Sequence, residues 1–273
     1  MDRFSKDITF FSLDGLKLEG TFVRHKKKKL GVAVLVHGGG VDRNEDGFYI
    51  RLAERLSKIG ISSFRFDWRA HGKSEGSLKE MTLLGIVNDI HSSVNLALKY
   101  ANMDKVHLVG TSFGGGLSAY FTAKYSNKVK SLVLMNPLLN YKKRLLEEKP
   151  FWENGKLSKE GIRDLNEKGY LPHGSVFRMG RPLINELFHI HPYLDMSKIT
   201  VPTLTIHGTE DSMVSFDIAY QYHKVKGKSK FISIKGADHG FTVPGDEEYS
   251  DPQTIKWQAF AIDGAINWFL KHY

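Results

Sequence analysis

Three groups of residues, far apart in the chain, are of the right types to do one kind of chemistry together. The first is Gly110-Thr111-Ser112-Phe113-Gly114, a Gly-x-Ser-x-Gly turn between an apolar run, Val106 to Val109, and a helical pattern, Leu117 to Ala123. Strand, turn and helix in that order is the layout of a nucleophile elbow. Side chains at positions 110 and 114 would collide with the neighbouring strand and helix, which explains the glycines. The turn lifts the Ser112 hydroxyl above the sheet and leaves Phe113 N–H at a helix N-terminus, where it can face a developing negative charge. Such a turn can also be a tight connection with no chemistry, so a histidine, a carboxylate and a second oxyanion donor are needed elsewhere.

A serine hydroxyl is a poor nucleophile until a base of near-neutral pKa takes its proton, and histidine is the usual base. Of twelve histidines, His239 stands out, in Gly236-Ala237-Asp238-His239-Gly240-Phe241 just past the last predicted strand. Loops at strand C-terminal ends gather over one edge of a parallel sheet, and Ser112 leaves such an end too. The carboxylate should follow the strand between them, in His207-Gly208-Thr209-Glu210-Asp211-Ser212, where Asp211 and Glu210 are the two candidates. Its role is to hold the histidine tautomer and stabilise the imidazolium. The second oxyanion donor is expected from His37-Gly38-Gly39-Gly40, with Gly39 N–H acting alongside Phe113 N–H. His37 and His207 each end a strand before a glycine and read as structural ties. Asp67 and His71 read as a loop pair without chemistry.

The elements that must position these groups follow from the hydrophobic pattern. Ile8–Ser12 and Leu16–Val23 alternate around Asp14-Gly15, a hairpin signal. Gly31–Val36 is continuously apolar, as in a strand covered on both faces. Helix-like Phe48–Lys58, stopped by Gly60, and strand Ile61–Phe66 follow, and Thr82 can cap a long amphipathic helix. Val129–Met135 is another buried strand. From Leu138 to about Ile199 the alternation breaks, and a stretch of that length should be a helical insertion over the sheet. Strand Val201–Ile206, helix Phe216–Val225, strand Phe231–Ile234 and helix Pro252–Tyr273 complete the pattern. The expected fold class is α/β, a mostly parallel central sheet with helices on both faces. The core would comprise 1–137 and 200–273, with 138–199 as a cap.

Composition sets outer bounds. The chain has 273 residues, 41% hydrophobic and 25% charged, ordinary for a globular domain. It has no cysteine, so disulfides and thiolate metal sites are excluded. The charged first residues do not form a signal peptide, and no apolar run approaches the roughly 18–20 residues of a membrane span. A cytoplasmic location is expected. The formal net charge is +9, and much of the visible clustering is Arg24-His25-Lys26-Lys27-Lys28-Lys29 between two strands, which reads as a solvated loop. No aromatic residues interleave with it as a single-strand binding surface requires.

The stretches HGGGVDRNEDGFY, FRFDWRAHGKSEG, GTSFGGG, HGTEDSMV and GADHGF make the chain resemble an α/β-hydrolase over nearly its whole length. It is most similar to the bacterial serine esterases that include cinnamoyl/feruloyl esterases and monoacylglycerol-lipase-like enzymes. The chain order Ser112, Asp211, His239 is that family's order, and the 28-residue interval from Asp211 to His239 suits it. The resemblance implies that Ser112 is acylated, that His239 is the base and that Asp211, rather than Glu210, orients it. It implies a cap that shapes the substrate pocket. Leu138, Phe151, Trp152 and Phe177 are its candidate walls, although such residues can equally pack the cap onto the body. Feruloyl esterases commonly have His-Gly-Phe where this chain has Gly39, which implies a wider acyl pocket. Tyr141-Lys142-Lys143-Arg144-Leu145-Leu146 offers no acidic group for a phenolic hydroxyl.

The expected reaction is hydrolysis of a small to medium acyl or aromatic carboxylic ester through an acyl-enzyme, with no metal or cofactor. The partner is a small-molecule ester; no nucleic acid or membrane is expected, and the chain is open to pairing as a homodimer. Thioesterase or monoacylglycerol lipase activity would use the same groups. A non-catalytic ligand-binding module on the same fold is the alternative of another class.

Overall fold

A hairpin opens the chain: β1 (Arg3–Phe11) pairs antiparallel with β2 (Lys17–His25) across the Asp14-Gly15 turn. The computed structural model describes residues 3–25, 30–174 and 177–273; the Lys26–Lys29 run expected as a solvated loop lies outside them. Next come β3 (Gly31–Val36), α1 (Phe48–Lys58), β4 (Ile61–Asp67), α2 (Leu83–Ala101), β5 (Val106–Thr111), α3 (Ser112–Lys124) and β6 (Val129–Met135). Between β6 and the next sheet strand lie two small ribbons and three helices: β7 (Trp152–Glu153), β8 (Lys156–Leu157), α4 (Lys159–Glu167), β9 (Leu171–His173), β10 (Phe177–Met179), α5 (Arg181–Glu186) and α6 (Pro192–Asp195). Then follow β11 (Thr203–Gly208), α7 (Phe216–Tyr222), β12 (Ser229–Ile234) and α8 (Pro252–Lys271).

Eight strands form one sheet in the order β1-β2-β4-β3-β5-β6-β11-β12. The pairs from β4 to β12 are parallel, and β2 joins β4 antiparallel. Every residue of β3, β5 and β11 is buried, and in β3 this shows as an apolar run without alternation. Val32, Val34 and Val36 face one core with α2 and α3, while Ala33 and Leu35 face the other with α1 and α8. Thr82 caps α2, its hydroxyl accepting from Gly85 N–H at 2.8 Å. Among the described residues, no helix is long and apolar enough to cross a membrane.

The stretch from 138 to 199 is an insertion of helices and adds ribbons that the sequence does not announce. Its helices are short, and two two-stranded ribbons, β7–β8 and β9–β10, stand among them. Strands of two or three residues carry too few positions to impose a period on the sequence. Leu145, Leu165, Phe177 and Leu183 from this stretch join the core that contains α2 and α3, so it packs on that side of the sheet.

Buried charges tie the loops at the strand ends. The Arg69 guanidinium, just after β4, donates to both oxygens of Asp89 on α2 (2.9 and 2.8 Å) and to Asp14 of the first hairpin (2.8 and 2.9 Å). Asp89 has no exposed side-chain surface and also accepts from Ser12 Oγ at 2.5 Å. Removing one member of such a pair leaves the other charged and buried. Asp89→Ala is therefore expected to lower unfolding free energy by about 3–5 kcal/mol, read from urea denaturation midpoints; a change within experimental error would show that the pair stabilises nothing.

Candidate active site

β5 runs straight into α3, so the chain must turn from extended to helical at one residue. That residue is Ser112, whose φ of +49° lies in the left-handed region. A Cβ on Gly110 would sit 2.4 Å from Ser118 Oγ, and one on Gly114 would sit 2.2 Å from the His37 carbonyl oxygen. Neither position can carry a side chain without the turn opening. Leu138 N–H donates to the Ser112 carbonyl at 2.9 Å, and the Tyr141 hydroxyl donates to the Phe113 carbonyl. On the other side Tyr49 O–H donates to the Val36 carbonyl at 2.9 Å, with the Thr111 hydroxyl 2.7 Å away. These bonds fix the turn from both flanks.

His239 Nε2 lies 3.0 Å from Ser112 Oγ, and His239 Nδ1 lies 2.9 and 3.1 Å from the two carboxylate oxygens of Asp211. The carboxylate sets the tautomer: the proton sits on Nδ1, and Nε2 is left to accept from the serine. Asp211 is held in turn by the amides of Met213 and Val214, which donate to Oδ1 at 3.0 and 2.7 Å. Its side chain is fully buried, whereas Glu210, the other candidate, is exposed. Asp238 joins the two loops, accepting from the amides of His239 (2.6 Å) and Ser212 (2.8 Å). Burial works against its ionisation, but those amide bonds prevail and hold its pKa below the usual carboxylate value.

The loop after β3 is pinned on both sides of Gly39. Gly38 N–H donates to Glu45 Oε2 at 2.7 Å, and Gly40 N–H donates to His71 Nε2 at 3.0 Å. Asp67 takes the Arg43 amide at 2.7 Å and its guanidinium at 2.6 Å. His71 and Asp67 thus hold this loop, although the sequence suggests only a pair with each other. His37 and His207 are structural ties as expected: Nδ1 of each lies within 3.0 Å of the following glycine's carbonyl, and His37 stacks on Trp68 at 4.8 Å between ring centroids. A Cβ on Gly39 would lie 3.4 Å from Phe113 Cβ, so the two candidate oxyanion residues are neighbours.

A cavity of about 390 Å³ opens beside Ser112. Gly39, Gly40 and Phe113 line it from the core; Leu138, Leu145 and Phe177 supply apolar wall; Arg144, Lys149 and His173 supply the polar wall. Leu138 and Phe177 stand where the sequence suggests. Phe151 and Trp152 are a correction, since neither lines this cavity. Phe151 packs over Gly161, and Trp152 lies 5.8 Å from the Phe188 ring. Aromatic type marks a residue as apolar but does not say which surface covers it. Among the described residues, no group of three or more His, Asp or Glu is placed to hold a metal ion.

Glu45 was not foreseen. It sits among Asp42, Arg43, Asn44 and Asp46, which read as an exposed turn, and no pattern marks it. A Cβ on Gly38 would meet Glu45 Oε1 at 3.1 Å and Ser112 Cβ at 3.3 Å, so Gly38 stands between the carboxylate and the serine with no room for a side chain. Burial pushes its pKa up to about 7, opposed by the Gly38 N–H and the nearby His239.

Residues 32–164 match the family described as the alpha/beta hydrolase fold. The monoglyceride lipase homolog of Monkeypox virus is 27% identical over 235 residues, covering 77% of this chain and 82% of that protein. The monoacylglycerol lipase of Mycolicibacterium smegmatis is 30% identical over 112 residues, covering 40% of this chain and 39% of that protein. Among solved structures, Est1E from Butyrivibrio proteoclasticus with ferulic acid bound superposes with a TM-score of 0.77 at 21% identity, covering 96% of this chain and 99% of that one. This is an α/β-hydrolase-fold chain, similar in sequence to a monoglyceride lipase homolog and a monoacylglycerol lipase and in structure to Est1E.

Several buried groups change protonation between folded and unfolded chains. Burial lowers His71 to about 4, His173 to about 4 and His107 to about 3, all from 6.5. Between those values and 6.5 the unfolded chain binds protons that the folded chain does not, so stability falls as pH drops through that window. Glu45 acts oppositely between 4.5 and about 7, and burial raises Asp89 and Glu186 in the same sense, while His37 and His207 are lowered and add to the first three. Chemical denaturation at stepped pH should therefore show stability falling from about pH 6.5 to 4. His71→Gln should make that slope shallower by up to about 1.4 kcal/mol per pH unit. An unchanged slope would mean His71 is not held neutral.

Proposed function

We propose that this chain is a serine carboxylic-ester hydrolase that works through an acyl-enzyme on small to medium acyl or aromatic esters. The observation that carries the reading is the hydrogen-bonded series Asp211–His239–Ser112 at the mouth of a cavity. Ser112 O–H gives its proton to His239 Nε2 as Oγ attacks the ester carbonyl carbon. The carbonyl oxygen takes the negative charge and faces the amides of Gly39 and Phe113. His239 then protonates the leaving alcohol, and the acyl group stays on Ser112. Water, losing its proton to His239, attacks the acyl carbon, and the acid leaves with Ser112 restored. Asp211 stays ionised and stabilises the imidazolium in both halves. The stretch 138–199 serves as the cap that shapes the pocket.

Sequence similarity to monoacylglycerol lipases supports glycerol monoesters as a second substrate reading. The resemblance to a ferulic-acid-binding esterase supports aromatic acyl groups, but no lining residue is acidic to hold a phenolic hydroxyl.

Ser112→Ala should reduce turnover of p-nitrophenyl butyrate at least about 10⁴-fold and abolish fluorophosphonate labelling, with circular dichroism unchanged. Retained activity in the folded variant would reject the mechanism. Asp211→Asn should lose roughly 10⁴-fold in kcat by releasing the tautomer. Glu45 is a positioning residue, acting through the Gly38 amide. Glu45→Ala should lower kcat about 10-fold or more, while Glu45→Gln, which keeps an acceptor, should recover most of it with KM little changed. Equal loss in both variants would assign the effect to charge, not to the loop bond.

A further inference from the structure

The polar wall of the cavity is electrostatically one-sided. Arg144, Lys149 and His173 all line it together with Ser112, and none of its lining residues is acidic. Arg144 sits on a π-helical turn, Lys143–Glu147, a local widening of the helix that is frequent at functional sites. Lys149 follows directly, its backbone fixed by Lys149 N–H to the Leu146 carbonyl (2.9 Å) and by Trp152 N–H to the Lys149 carbonyl (3.0 Å). His173 comes from the β9–β10 ribbon.

These groups are poorly compensated. Among the described residues Arg144 has one ion pair, to Glu148, long at 3.7 Å and partly exposed. Lys149 has no ion pair among the described residues; burial and then repulsion from Arg144 push its pKa down, against the attraction of Glu148. His173 Nδ1 is buried without a hydrogen-bond partner. Burial and then the charges of Lys149 and Arg144 push this imidazole down to about 4. Like charges gathered at a partly desolvated wall repel, and an anion placed between them would relieve that repulsion. Leu138, Leu145 and Phe177 form the apolar remainder, suited to a short hydrocarbon chain.

We propose that the cavity selects esters carrying a carboxylate at the end remote from the scissile bond, with Arg144 and Lys149 as the specificity-determining residues. The inference rests on the serine-esterase reading and names its substrate class. The ester carbonyl sits at Ser112 between Gly39 and Phe113, the chain runs along the apolar wall, and the carboxylate reaches the guanidinium and the ammonium. The guanidinium offers the planar fork that matches a carboxylate.

The test compares kcat/KM of the full-length wild type for 4-nitrophenyl hemisuccinate, hemiglutarate and hemiadipate with neutral acyl isosteres of equal chain length. A second arm places the carboxylate on the alcohol half, comparing the butyrate ester of 4-hydroxybutyrate with that of 1-pentanol. One arm should favour the carboxylate by roughly 10–100-fold. The preference should shrink with added salt, and should fall towards parity in Arg144→Met and invert in Lys149→Glu. Because the ratio in the wild type is itself decisive, a variant that fails to fold does not remove the test. Wild type that labels at Ser112 and hydrolyses the neutral esters, yet shows no carboxylate preference in either arm, overturns this inference alone. A preference that survives in both folded variants also overturns it, assigning selectivity to the net charge of +9. Wild type that neither labels nor turns over any ester overturns the parent reading, and this one with it.

Discussion

A serine held at φ +49° between a strand and a helix is the constraint from which the rest follows. Left-handed backbone costs an ordinary residue about 1–3 kcal/mol, so the surroundings must enforce it. They do so by close approach. α3 opens with Gly114-Gly115-Gly116, a poor start for a helix in propensity alone. Cβ atoms there would meet the His37 carbonyl at 2.2 Å, Pro137 Cα at 2.9 Å and the Leu138 carbonyl at 2.1 Å. The helix forms because tertiary contact compensates for its weak local preference, and that contact needs the side chains removed. The same closeness draws the ends of β3, β5 and β6 to one point above the sheet.

Electrostatics then fixes what strain has positioned. Glu45, His71 and Asp67 approach the loop after β3 from different parts of the chain, and each takes a backbone amide of that loop or its flank. A donor loop tied in this way does not need to reorganise when charge develops nearby. His71 can accept from Gly40 N–H only while Nε2 is unprotonated, so the burial that keeps it neutral is also what holds the loop. The Arg69–Asp89 pair anchors the segment carrying His71 to α2 and the first hairpin.

Local chemistry was legible in the sequence, and long-range approach was not. The elbow declares itself because glycine, serine and glycine must stand at adjacent, fixed positions. Strand β3 is legible because burial on both faces leaves an unbroken apolar run, and α2 because Thr82 and an amphipathic period mark it. Ser112 and His239 could be read because each follows a recognisable strand, while the strand between them narrows the carboxylate only to Glu210 or Asp211, and the family resemblance favours Asp211. Glu45 was hidden for the opposite reason: its partner, the Gly38 amide, is seven residues away, and its own sequence neighbours are polar. The ribbons β7–β8 and β9–β10 are too short to impose a period. Arg144 and Lys149 lie in a charged run that looks like solvated surface until the turn that carries them is seen.

The two sides of the cavity are built differently, and that difference bears on what each can do. Ser112, Gly39 and Phe113 hang from sheet strands whose residues are buried and fully paired, so their geometry tolerates little change. The opposing wall comes from a five-residue π-helical turn, a three-residue strand and the Met213-Val214 loop, elements with few backbone bonds of their own. Elements of that kind open at lower free energy and accept substitution more readily than core strands. Reaction chemistry therefore belongs to the rigid side, and selection among substrates to the adaptable one. The basic residues of the cavity wall belong to the adaptable side, apart from the strands that carry Ser112, Gly39 and Phe113. Fold alone, shared with Est1E at 21% identity, leaves that wall unspecified. The charges on it are a property of this chain's own sequence.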